Sequence, residues 1–354
     1  MTPMPLRVLI LGTGALAKLV GYRLAVARAD DAPLAAVTLA GDWAAAVAAM
    51  AAGGIVLEEA DGRVGRATVS AVMRDELAAD LARREGRDGG FDLVLVLVKS
   101  RQTVVVAPLA AAAVSVSGRI LSLQNGLGNR ERLQAAAGDP HRVMIGVTAA
   151  GATGLGPDRV RAGGGGDTQL GPAQGPGLSA SAIARLFVDA GLPCTLSRDV
   201  EALLWRKLAV NCAINPLSAL AGRPNGALLE EPRLGRLAAA AAREVHAVAA
   251  AMGIDLGADA AELVIEVARR TAANRSSMLQ DLDRGAATEI DAICGAVADR
   301  AAALGLSAPV NAWLLAAVRR LEAGGGRAEV DWAAADALLA DALLADEGER
   351  RMLR

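Results

Sequence analysis

Lys207, Asn211 and Asn215 recur at four-residue intervals in the stretch Trp205–Gly226, WRKLAVNCAINPLSALAGRPNG. At 3.6 residues per turn this spacing sets an ammonium and two carboxamides along one side of a helix, drifting slowly around it. The surrounding positions, Leu203, Leu204, Leu208, Val210 and Ile214, are apolar. A lysine desolvated beside other donors is tuned towards proton transfer. Each carboxamide can both donate to and accept from a small polar substrate. The stripe therefore faces either a ligand or bulk water. Pro216 removes a backbone donor directly after Asn215 and is expected to bend or end the helix there. The turn Arg223-Pro224-Asn225-Gly226 then brings the chain back. A second polar group follows in NRSSMLQD (274–281) and TEID (288–291). Ser276 or Ser277 is placed to cap a helix or to bind a ligand. Glu289 is expected within a helix over 285–304 whose Ile290, Ile293 and Val297 are buried; taken alone, it reads as a surface acid.

These residues need elements to hold them. From 199 to 324 only helices are expected, over 199–220, 232–252, 258–273, 285–304 and 309–323. The first half reads differently. Arg7–Leu11 is a short apolar run, as of a buried parallel strand, and Gly12-Thr13-Gly14-Ala15-Leu16-Ala17 follows it, with a helix over Lys18–Arg28. Strand, G-x-G-x-x-A turn and helix form the context of a dinucleotide fingerprint. The first glycine permits the tight turn, the second lets a pyrophosphate approach the backbone, and the small third residue packs helix on strand. The helix N-terminus then faces the phosphates.

A strand over Leu34–Ala40 ends at Gly41-Asp42. An acid there can accept from ribose hydroxyls and repels a 2'-phosphate. Asp42 lies 28 residues beyond Gly14, further than the usual separation of about 20, and an exposed loop acid is the other reading. Further strands are expected at Ile55–Glu58 and Arg66–Val72, as a hairpin around Asp61-Gly62, and at Phe91–Val98, Arg119–Leu123 and Val143–Ala149. Helices are expected over Trp43–Ala52 and Glu76–Arg84. Lys99 and Asn125 emerge at the carboxyl edge of the sheet, where open α/β sheets bind ligands. The glycine run Gly163–Gly166 links strands at Arg159–Arg161 and Thr168–Leu170, or is a flexible loop. The expected division is 1–198, 199–324 and a tail over 325–354, with part of the tail a short helix.

Composition narrows the class. The 354 residues are 53% hydrophobic but only 2% aromatic, with a formal net charge of −2. Scattered charges of both signs and few stacking rings argue against a nucleic-acid partner. No run resembles a signal or a membrane span, so no membrane partner is expected and the fitting class is a cytoplasmic enzyme. Cys194, Cys212 and Cys294 are odd in number and widely spaced, which points to buried free thiols and to no metal site. His141 and His246 stand far from any acidic or cysteine cluster.

LWRKLAVNCAINPLSAL, RPNG, SSMLQD and TEID, with GTGALA at the start and QNGLG between, resemble the ketopantoate reductase (2-dehydropantoate 2-reductase) family over about residues 6–323. The resemblance implies an α/β fold: an N-terminal Rossmann-type dinucleotide-binding domain and an all-helical C-terminal domain, with the active site in the cleft between them. It implies NAD(P)H-dependent reduction of 2-dehydropantoate to (R)-pantoate, a step of pantothenate and coenzyme A biosynthesis. Lys207 corresponds to the general acid and Glu289 to a carboxylate near substrate and nicotinamide ribose. Asn125, Asn211, Asn215, Asn225 and Ser277 correspond to substrate-binding positions. Gly12–Ala17, Lys99, Asn125, Ala152 and Glu289 correspond to the cofactor side.

Several features depart from the family pattern, among them the 76–84 helix and the tail after 325, which have no clear counterpart in it. The glycine turn closes on Ala17, Gln124 stands where histidine is common, and Asp42 aligns with the family's basic residue for the 2'-phosphate. NADP(H) follows from the resemblance, and Asp42 leaves NAD(H) open beside it. Two alternatives remain: a reductase of another branched 2-oxo acid, and a non-catalytic nicotinamide-nucleotide sensor. The substrate partner is a small 2-oxo acid, and a homodimer is compatible with the sequence.

Overall fold

The computed structural model describes residues 4–83, 90–164, 166–257, 259–325 and 329–340. The chain forms two compact units, one of Met1–Gln124 with Gly128–Val200, the other of Asn125–Leu127 with Glu201–Arg354.

The first unit is built on an eight-stranded sheet. Its strands are β1 (Leu6–Leu11), β2 (Ala35–Gly41), β3 (Ser70–Met73), β4 (Phe91–Val96), β5 (Val114–Ser122), β6 (Val143–Thr148), β7 (Thr168–Leu170) and β8 (Cys194–Leu196). They lie in the order β8-β7-β6-β5-β4-β1-β2-β3. From β3 to β6 every pairing is parallel, and β7 turns antiparallel to β6. The order 3-2-1-4-5-6 is that of a doubly wound dinucleotide-binding sheet. Its central strands are continuous runs of Val, Leu and Ile because both faces are covered: Val8, Leu9, Ile10, Leu93, Val94 and Leu95 are all fully buried.

The expected hairpin needs correction. Ile55–Glu58 pairs antiparallel with Val64–Ala67 in a separate four-stranded sheet, whereas Ser70–Met73 leaves to join the main sheet beside β2. Gly54 marks that parting, with φ +74° and a Cβ position 2.1 Å from the Ala67 carbonyl oxygen. The glycine run does link two strands, but they lie in different sheets: Arg159–Ala162 pairs with Ile55–Glu58, and Thr168–Leu170 with β6. Gly165 lies outside the described residues. The helix expected over Glu76–Arg84 spans Arg74–Arg83, and Arg84 lies outside the described residues.

The second unit is helical. Its core gathers Trp205, Leu208, Ile214 and Leu217 from the helix Val200–Ala221 with Leu237, Val245, Val297, Leu314 and Val318. Two expectations fail here. The helix expected over 199–220 is present as Val200–Ala221, but the end expected beside Asn215 does not occur, and the helix continues through Pro216. Proline's missing N–H leaves the Cys212 carbonyl, one turn back, without its usual donor. The Cys294 thiol faces that carbonyl at 3.7 Å, a weak contact that supplies the vacancy with a donor from another helix. The helix expected over 285–304 is shorter and broken, a single 3₁₀ turn at Ile290–Ala292 and then Cys294–Ala303, and a separate short helix, Ser277–Asp283, precedes it. Gly285, with φ +62°, ends that preceding helix in the left-handed conformation typical of helix termini. The backbone of Ile293, at ψ −93°, separates the 3₁₀ turn from the last piece. Ala258, at the start of the expected 258–273 helix, is outside the described residues; the helix itself is Ala260–Arg270.

In the tail, residues 332–340 form a helix. It is held by a bidentate Arg233–Asp336 pair at 2.9 Å and by Trp332 beside Trp313. Residues 326–328 and 341–354 lie outside the described residues. Among the described residues no helix is long and apolar enough to cross a membrane.

Candidate active site

The glycine turn shows what each of its residues does. Gly12 has φ +134°, and a Cβ there would meet the Leu97 carbonyl oxygen at 2.9 Å. Only glycine lets β1 turn this close to β4. Gly14 differs: its φ is −74°, and a Cβ there meets no heavy atom within 4 Å. The open space in front of Gly14 is where a phosphate would approach. Behind it the helix Ala15–Val26 begins with no side-chain cap, so its first N–H groups remain for an anion. Ala17 is fully buried against the sheet, Thr13 is buried, and Ala15 and Leu16 are half-buried. Ala152 is half-buried at the start of the strand Ala152–Gly154, packed on the same core. These residues fit a dinucleotide pyrophosphate.

Asp42 follows β2 and is exposed. It is not alone there: Arg74 Nη1 lies 2.7 Å from Asp42 Oδ2. A partly exposed pair of this kind is worth about 1 kcal/mol or less to stability. Next to it, the buried Lys18 ammonium donates to the Gly156 carbonyl at 2.8 Å and sits 4.6 Å from the Trp43 ring centre. Burial lowers the Lys18 pKa to about 8, against the opposing pull of Asp158. Sequence reasoning missed both Arg74 and Lys18. The i+4 step and the glycine turn drew attention elsewhere, and only strand pairing brings 42 and 74 together.

Lys99 follows β4 and is half-buried, its carbonyl accepting from Gln102 N at 2.8 Å. Behind it lies a buried polar network that the sequence did not announce. Gln124 Nε2 donates to the Val98 carbonyl (2.9 Å) and to Thr103 Oγ1 (2.8 Å), while Ser122 Oγ donates to Gln124 Oε1 (2.9 Å). Thr103 Oγ1 donates to Asn129 Oδ1, and Asn129 Nδ2 to Ser100 Oγ. The network ties the ends of β4 and β5 that carry Lys99 and Asn125. Gln124→Leu removes three side-chain hydrogen bonds, to the Val98 carbonyl, Thr103 Oγ1 and Ser122 Oγ, and buried networks lose more than one bond's worth. We expect a stability loss of about 2–4 kcal/mol in denaturant melts; a loss indistinguishable from zero would show that the network holds nothing.

In the second unit, the helix Val200–Ala221 presents Lys207 and Asn211 half-buried and Asn215 buried, spread over about 12 Å of helix axis. Lys207 is electrostatically coupled to Glu289: desolvation lowers its pKa to about 8, and the Glu289 carboxylate pulls the other way. Glu289 is 8% exposed, so the surface-acid reading is wrong, and it sits on the turn before Ile290, not inside a helix. Asn125 Nδ2 donates to Glu289 Oε2 at 3.1 Å. The Asn125–Leu127 segment is clamped there, since Leu127 N donates to the Ala292 carbonyl. Gly126 has φ +77°, and a Cβ on it would come within 2.4 Å of that carbonyl oxygen.

At the other end of the stripe, Ser276 Oγ lies against the Asn215 carbonyl (3.4 Å) and accepts from Ser218 Oγ; it also accepts from Leu279 N, capping the next helix. Ser276 is thus the cap, and Ser277 is the exposed residue beside it. Asn225 joins this end: its N donates to the Asn274 carbonyl and its Nδ2 to Thr271 Oγ1. Its Oδ1 is buried and accepts no hydrogen bond among the described residues. The structure therefore gathers Lys207, Glu289 and Asn125 at one end and Asn215, Asn225 and the Ser276–Ser277 turn at the other. Among the described residues no three His, Cys, Asp or Glu side chains group as metal ligands.

Residues 8–175 match the family model for ketopantoate reductase PanE/ApbA, and residues 199–322 match the model for its C-terminal domain. The chain belongs to the ketopantoate reductase family. It is an enzyme of the NAD(P)-dependent oxidoreductase class. Among the relatives of this ketopantoate reductase family member is the 2-dehydropantoate 2-reductase of Halobacterium salinarum, 34% identical over 315 residues, covering 89% of this chain and 98% of that one. The 2-dehydropantoate 2-reductase of Archaeoglobus fulgidus is 39% identical over 234 residues, 66% of this chain and 77% of that one. The crystal structure of a PanE/ApbA family ketopantoate reductase from Ralstonia eutropha JMP134 superposes with a TM-score of 0.78 at 32% identity, covering 91% of this chain and all of that one.

Proposed function

We propose that this enzyme reduces 2-dehydropantoate to (R)-pantoate with a reduced nicotinamide dinucleotide, and that Lys207 is the general acid. The observation that carries the reading is a half-buried ammonium on the second unit's polar stripe, coupled to a buried carboxylate, with a pKa of about 8. A general acid works best with a pKa near the operating pH. The relatives' names supply the substrate class.

When bound, the nicotinamide supplies a hydride to the keto carbon. The residues of this chain do the rest. Gly12–Ala17 hold the pyrophosphate on the glycine turn and the uncapped helix end, with Lys99, Ala152 and Asp42 on the same cofactor side. The Lys207 ammonium hydrogen-bonds the keto oxygen, stabilises the charge that develops there and delivers a proton to it. Glu289 opposes the desolvation of Lys207 and so keeps it protonated, and Asn125 fixes Glu289 through its 3.1 Å hydrogen bond. Asn211 and Asn215 line the stripe for the carboxylate and hydroxyl of the substrate. Asn225 Oδ1 offers an acceptor to a substrate hydroxyl, and Ser277 a hydroxyl at the adjoining turn.

The test is purified protein with 2-dehydropantoate and either reduced nicotinamide. Loss of reduced-nicotinamide absorbance with neither would sink the assignment, and a panel of branched 2-oxo acids ranks the substrate.

The pH profile follows from the pKa. Lys207 must carry its proton, so turnover is expected to fall as pH rises through about 8. Glu289 raises that pKa, so Glu289→Gln should move the falling limb to lower pH. An unmoved limb would mean that another group titrates. Stability runs the other way: the unfolded chain holds this proton more tightly, so the lysine disfavours folding below about 8 and the penalty fades as pH climbs towards 10.5.

A further inference from the structure

We propose that Arg74 is a specificity-determining residue for the adenosine ribose. With Asp42 it forms a paired recognition element, the guanidinium taking a 2'-phosphate and the carboxylate a free 2'-hydroxyl. This rests on the reading of the glycine turn as a dinucleotide site.

Strand pairing sets the position. β2 and β3 run parallel with Gly41 opposite Met73, so the next residue of each strand, Asp42 and Arg74, leaves the sheet at the same carboxyl edge. There the two side chains meet at 2.7 Å while remaining 44% and 30% exposed. In a nucleotide sheet of this order the ribose is read just past the second strand. A lone aspartate at that place repels a 2'-phosphate. Paired with an arginine, the two side chains sum to zero charge, and the repulsion is cancelled where it would act.

The guanidinium has donors to spare. It presents five N–H groups in a planar fork suited to phosphate, and one carboxylate oxygen occupies only part of it. Because both partners are partly exposed, little is lost when the arginine turns from carboxylate to phosphate. Lys18, by contrast, is committed elsewhere: it is buried, donates to the Gly156 carbonyl and lies over Trp43. The neighbouring acids Asp75 and Glu76 are engaged locally, accepting from Glu76 N and Met73 N respectively. Arg74 is thus a cation positioned for a 2'-phosphate, and it compensates for the aspartate standing where the family resemblance calls for a basic residue.

Binding titrations without keto acid test this directly. NADPH, NADH, adenosine 2',5'-bisphosphate and adenosine 5'-monophosphate are titrated into the full chain and into Arg74→Ala, Arg74→Lys and Asp42→Asn. Arg74→Ala should weaken NADPH and the bisphosphate by about tenfold or more, the worth of a charge-assisted hydrogen bond, with NADH and the monophosphate within about twofold. Arg74→Lys should recover part of the loss. Asp42→Asn should weaken NADH and tighten NADPH. Should Arg74→Ala fail to fold, Arg74→Gln keeps the length without the charge and carries the same comparison. Equal weakening of both ligands in each pair, no change in either, or a wild type that binds none of the four overturns the proposal. A wild type that binds dinucleotides as described, yet oxidises neither with any 2-oxo acid, leaves this inference standing and removes the proposed reaction.

Discussion

Lys207→Ala lowers kcat for 2-dehydropantoate reduction by about 10²–10⁴-fold, the usual worth of a positioned general acid, while dinucleotide affinity stays at the wild-type value. The separation follows from the fold. Lys207 belongs to the helix Val200–Ala221 of the second unit, whereas the glycine turn belongs to the first. Lys207→Met is the companion variant. It keeps an alkyl stem and removes only the charge, so packing and chemistry are told apart. Both variants should fold, because a desolvated ammonium is itself a cost to the folded state. Steady-state kinetics and dinucleotide titration on the same preparations decide the matter. Unchanged kcat in both variants would remove Lys207 from the chemistry, and a parallel loss of dinucleotide binding would reassign it to the cofactor.

Gly12→Ala and Gly14→Ala should fail in opposite ways, although they lie two residues apart in one motif. At Gly12 the backbone has φ +134° and the new methyl group meets the Leu97 carbonyl oxygen at 2.9 Å and the Val98 nitrogen at 3.2 Å. Neither is a side chain that can move aside, so a loss of about 3 kcal/mol or more is expected, with dinucleotide binding lost as β1 and β4 separate. At Gly14 the backbone is ordinary and the methyl group meets nothing. Stability there should change by less than about 0.5 kcal/mol, while dinucleotide affinity falls because the methyl group occupies the space a phosphate needs. Denaturant melts and binding titrations on the pair read this out. A Gly14→Ala protein that binds like wild type would place the phosphates elsewhere.

The sequence disclosed the parts of this molecule that depend on local pattern. The buried parallel strands were legible because Val, Leu and Ile run without interruption through Val8–Leu11 in β1 and Leu93–Val96 in β4. The glycine turn was legible because its residues are consecutive, and Lys207, Asn211 and Asn215 because four-residue spacing fixes a helix face. What escaped depends on long-range pairing. Arg74 meets Asp42 only through the register of β2 on β3. Gln124, Thr103, Ser122 and Asn129 look like ordinary polar residues until β4 and β5 lie side by side. Pro216 pointed to a helix end, yet the helix runs on to Ala221 within a packed core, and Cys294, 82 positions away in sequence, faces the carbonyl that proline leaves vacant. Glu289 was misread for the same reason: a helix was drawn over 285–304, and the turn that buries the carboxylate depends on contacts with the distant Asn125–Leu127 segment.

The assignment of Asn125–Leu127 to the helical unit bears on any attempt to dissect the enzyme. A fragment starting at Glu201 would carry the ammonium and the carboxylate but not the tripeptide whose amide holds that carboxylate and whose leucine packs in its core. A fragment ending at Val200 would keep the tripeptide without the 289–292 turn that it clasps. No single scissile bond yields two complete halves, so mixing the fragments should restore turnover only to the extent that this short excursion finds its seat again.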